Sequence, residues 1–222
     1  NSLTALAAVR AVTSVLAERG GSLEGTTVSV VGAAGAIGRG IALLAARGGA
    51  RITLIGRPGT THQSLDRLAA VAEECARAHS ESARPEVTTD AEAALPAAEV
   101  VFTATNAVTP FLETRALRRN AVVCDVSRPY NLIDRLDVRP DLSLLRGGVV
   151  QAPDGAELDA LAEPDLSTAI VACAAETIVL TLSGYDGAHL CGQLDLDEIL
   201  RIGAAAEAAG FRLDADPSLT RR

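Results

Sequence analysis

Apolar residues recur at helical spacing through SLTALAAVRAVTSVLAER (2–19), and Gly20-Gly21 stop the pattern, so the chain is predicted to open on a helix. A β-branched run, TTVSVV (26–31), leads through glycines into an apolar helix that reaches about residue 47, where Gly48-Gly49 end it. RITLI (51–55) reads as a second strand and residues 63–79 as a helix. The polar stretch 80–90, with Pro85, predicts a loop holding a short strand at Glu86–Thr88. DAEAALP (90–96) reads as a short helix closed by proline, EVVFTAT (99–105) as a strand, LETRALRR (112–119) as a helix and AVVCDVS (121–127) as a strand. GGVV (147–150) adds one more strand. Residues 166–183 and 195–209 then read as helices with no strand between them, and 210–222 as a tail. Alternating strands and helices on short links predict an α/β fold with a doubly wound parallel sheet. Its predicted units are an N-terminal helix in 1–26, the α/β domain in 27–150 and a C-terminal helical segment in 151–222 packing on it.

Composition narrows the function. The chain has 222 residues, is 48% hydrophobic and 22% charged, and carries a net charge of −8, which excludes disorder and argues against a nucleic-acid binder. The most apolar run, LSTAIVACAAETIVLTLSG (166–184), is short and contains Glu176, so it predicts a buried helix and no membrane span. No secretory signal pattern opens the chain, and Cys75, Cys124, Cys173 and Cys191 form no C-x-x-C pair, so a reducing cytoplasm is expected, with neither a zinc site nor a disulfide framework. All 20 positive side chains are arginine, and methionine is absent. Such a composition points to a GC-rich coding sequence, and the start at Asn1 to a fragment; gaps left by modified Met or Lys residues would look the same.

The informative motif is VSVVGAAGAIGRGIALLAA (28–46), a strand running through Gly32, Gly35 and Gly38 into a helix. The first glycine permits a tight turn, the second lets backbone approach a pyrophosphate, and the third lets helix and strand pack closely. The N–H groups that open the helix, at Ala34, Ala36 and Ile37 around Gly35, would face the phosphates. The spacing is a G-x-x-G-x-x-G variant of the Rossmann-type pattern. At the end of the second strand Ile55-Gly56-Arg57-Pro58 offers no carboxylate for ribose hydroxyls, and Arg57 suits a 2′-phosphate, so NADPH is the expected cofactor. Thr60 or Thr61 could add a hydroxyl, and an ordinary surface arginine is the plainer reading of Arg57. Thr103, Thr105 and Asn106 end the next strand and are candidates to flank the nicotinamide, or are turn formers. Ser127, Tyr130 and Gly148, on later strand ends, are candidates for a substrate loop.

Chemistry is constrained by the missing lysine: neither a Tyr-x-x-x-Lys pair nor the Lys/Asp pair of shikimate dehydrogenases is available. His62 and His79 flank a helix on its outer side, while His189 stands near the apolar helix in sequence. A cysteine nucleophile remains open. Cys173 in IVACAAE reads by composition as packing, but Glu176, three residues on and expected on the same helical face, is costly there without a partner. Cys124 looks structural.

From Val28 onward the chain resembles the long-chain acyl-[acyl-carrier-protein] reductases, which form fatty aldehydes with NADPH. The shared features, in order, are VVGAAGAIG (30–38), LIGR (54–57), VFTATNAVTP (101–110), VCDVSRPYNL (123–132), LLRGGVV (144–150), ACAAE (172–176) and EILRIGAAAEAAGFR (198–212), and NSLTA (1–5) resembles the segment before that family's cofactor domain. The resemblance implies a bacterial enzyme in which Cys173 takes an acyl group from acyl carrier protein or coenzyme A, NADPH reduces it, and aldehyde leaves. Glu176 would orient the site or move a proton, and Thr103, Thr105, Tyr130 or backbone N–H groups would hold the oxyanion. Arg115, Arg118 and Arg119 are candidates for docking an acidic carrier, and a homo-oligomer is allowed. The chain departs from that family in lacking its N-terminal segment and in having Leu3 where the family has histidine. The alternatives are an NADP-dependent dehydrogenase of shikimate-dehydrogenase shape, and a non-catalytic NADP-binding domain of a larger biosynthetic protein.

Overall fold

The computed structural model describes residues 1–59, 61–78, 84–132, 139–157, 161, 169–185 and 194–213. Helix α1 (Ser2–Glu18) precedes β1 (Thr27–Val31), α2 (Ala36–Arg47), β2 (Arg51–Ile55), α3 (His62–Ala78), β3 (Glu86–Thr88), the short α4 (Ala91–Ala94) and β4 (Val100–Thr103). Then come β5 (Val122–Asp125), β6 (Ser143–Arg146), β7 (Val149–Gln151), β8 (Ala169–Val171), α5 (Ala172–Leu182) and α6 (Leu196–Ala208). Six strands pair in parallel in the order β3-β2-β1-β4-β5-β6, the order of a Rossmann-type sheet. The predicted doubly wound α/β fold is therefore the fold observed.

Strand residues divide by parity between two cores, because successive side chains point to opposite faces. Val28, Val30, Val100, Phe102, Val122 and Cys124 join one core with α1, α2, α3, α5 and α6. Val31, Val101, Val123 and Leu144 join a smaller core with Leu95, Leu112, Leu117, Leu132 and Leu142. Helix α1 lies inside the larger core against α2, α5, α6 and β5, and buries twelve of its residues. That burial explains its run of alanine, leucine and valine with little polar face.

The structure departs from expectation at three segments. Residues 112–119 form only a 3-10 turn at Thr114–Ala116, because Leu112 and Leu117 both reach the core and a five-residue spacing would put them on different sides of a helix. SLLR (143–146), not GGVV, supplies the sixth strand of the sheet. The chain turns away at Gly148 (φ +71), so Val149–Gln151 pairs antiparallel with β8 in a separate two-stranded sheet. The predicted helix at 166–183 starts only at Ala172, since the β-branched Ile170 and Val171 extend the chain into β8 first. Thr60, His79, His189, Cys191 and most of the predicted tail lie outside the described residues. Among the described residues no helix is long and apolar enough to cross a membrane.

Burial in the larger core pushes the Cys75 thiol up to about 12, with nearby Glu74 raising it further and Arg39 opposing. Burial, aided by Asp125, also raises Cys124. Both stay protonated in the folded chain where an unfolded thiol, near 9.0, has ionised. The unfolded state then binds fewer protons, so stability is complete below pH ~9 and falls as pH rises, by about 1.4 kcal/mol per pH unit for each such group. Urea unfolding between pH 8.5 and 10.5 is expected to show this fall, with a shallower slope in Cys75→Ala than in wild type.

Candidate functional site

The carboxyl ends of β1, β2, β4 and β5 surround a cleft of 1570 Å³. Gly32 ends β1 at φ +85, and a Cβ there would lie 2.4 Å from the Ala104 carbonyl oxygen at the end of β4. A Cβ on Gly38 would lie 2.4 Å from the Gly32 carbonyl oxygen. The turn, the strand beside it and the first turn of α2 therefore meet backbone to backbone. Gly35 is the N-cap of α2 and no side chain caps the helix, so the first N–H groups have no intrahelical acceptor. Gly32, Ala34, Gly35, Ala36 and Ile37 line the cleft, whereas buried Gly38 acts through packing alone. An uncapped helix start behind a backbone-walled turn fits a diphosphate.

Arg57 and Asn106 also line the cleft, and Arg57 is exposed just past the end of β2. The absence of acid near this end does not hold. Asp90, after β3, lines the same wall, because the Gly56 N–H donates to the Thr88 carbonyl (2.9 Å) and draws the two strand ends together. Sequence distance from β2 hid it.

At the other end a buried polar network replaces the expected row of ligand-facing hydroxyls. The Thr103 hydroxyl, fully buried, donates to Asp125 Oδ1 (2.5 Å), so Thr103 does not face the cleft. Asp125, itself buried, also accepts the N–H groups of Ser127 (3.0 Å) and Asn131 (2.6 Å). Thr105 lines the cleft, but its hydroxyl donates to Asn131 Oδ1 (2.6 Å) and accepts from the Ala107 N–H (3.2 Å), so its polar capacity is committed to the loop. Ser127 Oγ accepts the Thr105 N–H (3.0 Å) and lines the cleft. Sequence reasoning passed over Asp125; a carboxylate ending the run Val122-Val123-Cys124 was the available signal. Tyr130 lies outside the lining and stacks under Arg128, whose guanidinium carbon is 4.5 Å from the ring centre. Gly148 is buried, with Thr4 Cγ2 2.8 Å from where a Cβ would be, and packs α1 instead of serving a substrate loop.

Cys173 stands in the first turn of α5 and is exposed, unlike Cys75 and Cys124, so the packing reading of it fails. It does not line the cleft. Glu176 is not on the same face: it is 3% exposed and turned inward with Ala172, Ala175 and Val179. Its Oε2 accepts from the Asn1 nitrogen and the Leu3 N–H, both at 2.8 Å, and so holds the start of α1. Asn1 lines the cleft, which links α5 to the cleft wall through Glu176. Arg115 pairs with Glu113 and Arg118 with Glu99 (3.2 Å), so the arginine group expected to form a basic patch is partly neutralised.

The shikimate/quinate 5-dehydrogenase family matches residues 14–145, more than half of the chain. The chain belongs to that family. Its sheet order is that of a Rossmann-type domain of the oxidoreductase kind. No curated protein matches the chain. Among solved structures it is similar to a dipicolinate synthase from Bacillus halodurans (15% identity, 65% of this chain and 47% of that one, TM-score 0.47). It is also similar to the nucleotide-binding domain of glutamyl-tRNA reductase from Thermoplasma volcanium (20%, 64% and 84%, TM-score 0.43). A third is shikimate 5-dehydrogenase of Listeria monocytogenes, in complex with shikimate and NAD (19%, 54% and 44%, TM-score 0.39). The chain spans about half the length of the first and third of these.

Asp125→Ala would leave three buried donors without an acceptor, each costing about 1–3 kcal/mol. Denaturant unfolding should therefore show a loss of at least ~2 kcal/mol, whereas Asp125→Asn, which keeps one acceptor oxygen, should lose less.

Proposed function

We propose that the protein is an NADP(H)-dependent oxidoreductase that moves hydride to or from a carbonyl carbon at the β4–β5 end of the cleft. The observation that carries this reading is the uncapped start of α2 behind Gly32, with Arg57 one strand outward. The α2 N–H groups would hold the diphosphate, and the Arg57 guanidinium a 2′-phosphate. Bound NADPH would supply the hydride. Family membership supports the dehydrogenase class, although the 222 residues contain no lysine for that family's Lys/Asp pair. Since the hydroxyls of Thr103 and Thr105 serve the loops, we assign the hydrogen bond to the carbonyl oxygen to the Ser127 hydroxyl, which keeps its proton free after accepting from Thr105.

A second reading is favoured by the exposure of Cys173. Its thiolate would attack an acyl thioester, the thiol of coenzyme A or acyl carrier protein would leave, and hydride addition to the new thioester would release an aldehyde and the free cysteine. Glu176 would then be a positioning residue that fixes the Cys173 helix against Asn1 at the cleft wall. A reducing cytoplasm suits the exposed thiol.

Titration of the full chain separates these readings. NADPH should bind more tightly than NADH, and Arg57→Ala should weaken NADPH about tenfold while leaving NADH unchanged. Equal affinities before and after the substitution would overturn the phosphate role, and no binding of either dinucleotide would overturn the cofactor reading. Intact-mass measurement after mixing with an acyl-coenzyme A should give an adduct that Cys173→Ser abolishes if the thioester reading holds. No adduct, together with reduction of a ketone, would leave the dehydrogenase reading alone.

A further inference from the structure

We infer that the Asn1 carboxamide binds the oxygen of the carbonyl group that is reduced, and that Glu176 releases it for that task. This rests on the hydride-transfer reading above and adds a substrate-binding residue from outside the sheet. Asn1 is the N-cap of α1, and the Ala5 N–H donates to its carbonyl oxygen (3.1 Å). Asparagine is among the residues preferred at that position, because its side-chain oxygen ordinarily accepts the N–H of the second or third helical residue. Here it does not. The second helical residue is Leu3, and its N–H donates instead to Glu176 Oε2 (2.8 Å), which also accepts from the Asn1 nitrogen (2.8 Å). The cap is thus supplied by α5, and the Asn1 side chain makes no hydrogen bond among the described residues. With 54% of that side chain exposed, against 4% for Glu176, the carboxamide is free of the helix it would otherwise close.

Asn1 also lines the cleft, and neighbouring contacts fix which end it reaches. Gly148 packs between Thr4 and Val126: a Cβ on it would lie 2.8 Å from Thr4 Cγ2 and 3.3 Å from Val126 Cγ1. Its carbonyl oxygen accepts the Ala172 N–H (2.8 Å), so the start of α5 joins the same junction. Asn1 stands three residues before Thr4, one turn along the same side of the helix. It therefore enters the cleft beside the end of β5, where Val126 and Ser127 both line the wall. That is the end at which the Ser127 hydroxyl is assigned to the carbonyl oxygen. A carbonyl oxygen only accepts, whereas the hydroxyl formed on reduction both donates and accepts. A carboxamide answers either state, offering its N–H groups to the carbonyl and its own oxygen to the hydroxyl. Asn1 moves no proton; it holds the oxygen.

Stability and binding test this together. Because the carboxamide does not cap, Asn1→Ala should leave the urea midpoint of the full chain unchanged, where loss of an ordinary asparagine cap would lower it. The NADPH complex is then titrated calorimetrically with isobutyramide, whose carbonyl oxygen accepts but which hydride does not reduce. Asn1→Ala should weaken isobutyramide about fivefold, the scale of one neutral hydrogen bond, and leave the NADPH affinity as it was. Glu176→Gln, whose amide oxygen still accepts both bonds, should bind isobutyramide as wild type does. Glu176→Ala frees the Leu3 N–H, so Asn1 should turn back to cap α1 and isobutyramide should weaken as in Asn1→Ala. The double variant should then be no weaker than either single one. Should Glu176→Ala not fold, Asn1→Ala and Glu176→Gln decide the matter alone. A lowered midpoint in Asn1→Ala, or isobutyramide affinity that survives it, would overturn the inference while leaving the cofactor reading intact. An NADPH complex of wild type that takes up no isobutyramide would overturn the carbonyl site and this inference with it. Failure of wild type to bind NADPH would overturn the cofactor reading as well.

Discussion

The cleft exists because backbone touches backbone around Gly32. Its carbonyl oxygen occupies the space a side chain at residue 38 would need, and the Ala104 carbonyl occupies the space a side chain at residue 32 would need. With no Cβ at either position, the start of α2 is drawn down onto the end of β1 and across to β4. Any larger residue would move either the helix or the strand, because backbone atoms, unlike the far end of a flexible side chain, cannot step aside. The orientation of the first-turn N–H groups toward the cleft follows from that contact.

A second constraint acts from the other side of the molecule. Helix α1 is surrounded by α2, α5, α6 and the sheet, and its buried start would leave N–H groups unsatisfied. Glu176 supplies the acceptor from α5. An ionisable residue in so apolar a helix is thereby explained by capping another helix at long range. The same bond brings Asn1 to the cleft wall, so the C-terminal helices are linked to the cleft although they contribute no lining residue of their own among the described positions.

Much of this was legible in the sequence where the signal is local. The strands of 26–31, 51–55, 86–88 and 99–105 and the helices of the N-terminal half emerge from periodicity and glycine punctuation, and Gly32, Gly35 and Arg57 from motif spacing. Long-range contacts set what was not legible. The turn at 114–116 is decided by which leucines the smaller core can take, and β8 by the availability of β7 as a partner. Thr103 and Thr105 sit at strand ends as the pattern indicates, yet their hydroxyls answer to Asp125 and Asn131, which are 22 and 26 positions further along the chain. Asp90 was missed for the same reason, since only strand pairing brings it beside Arg57.

The network at Asp125 bears on which chemistry the cleft can support. By accepting from the Thr103 hydroxyl and two backbone N–H groups, Asp125 fixes the β5 loop, and Ser127 and Asn131 on that loop fix Thr105 on the β4 loop. Two loops tied in this way form a rigid wall, and on the proposed function such a wall would hold the nicotinamide ring and a carbonyl group at a constant distance better than mobile hydroxyls could. The cost is that few polar groups at this end remain to move protons. Under the proposed hydride transfer, that chemistry would come either from Ser127, which lines the cleft and accepts the Thr105 N–H, or from a group carried on α5. Cys173 is on that helix, and Glu176 ties the helix to Asn1 at the cleft wall. On the proposed function, a ketone would be reduced beside the Ser127 hydroxyl and a thioester beside the Cys173 thiol, and the two would differ in which group the substrate must reach.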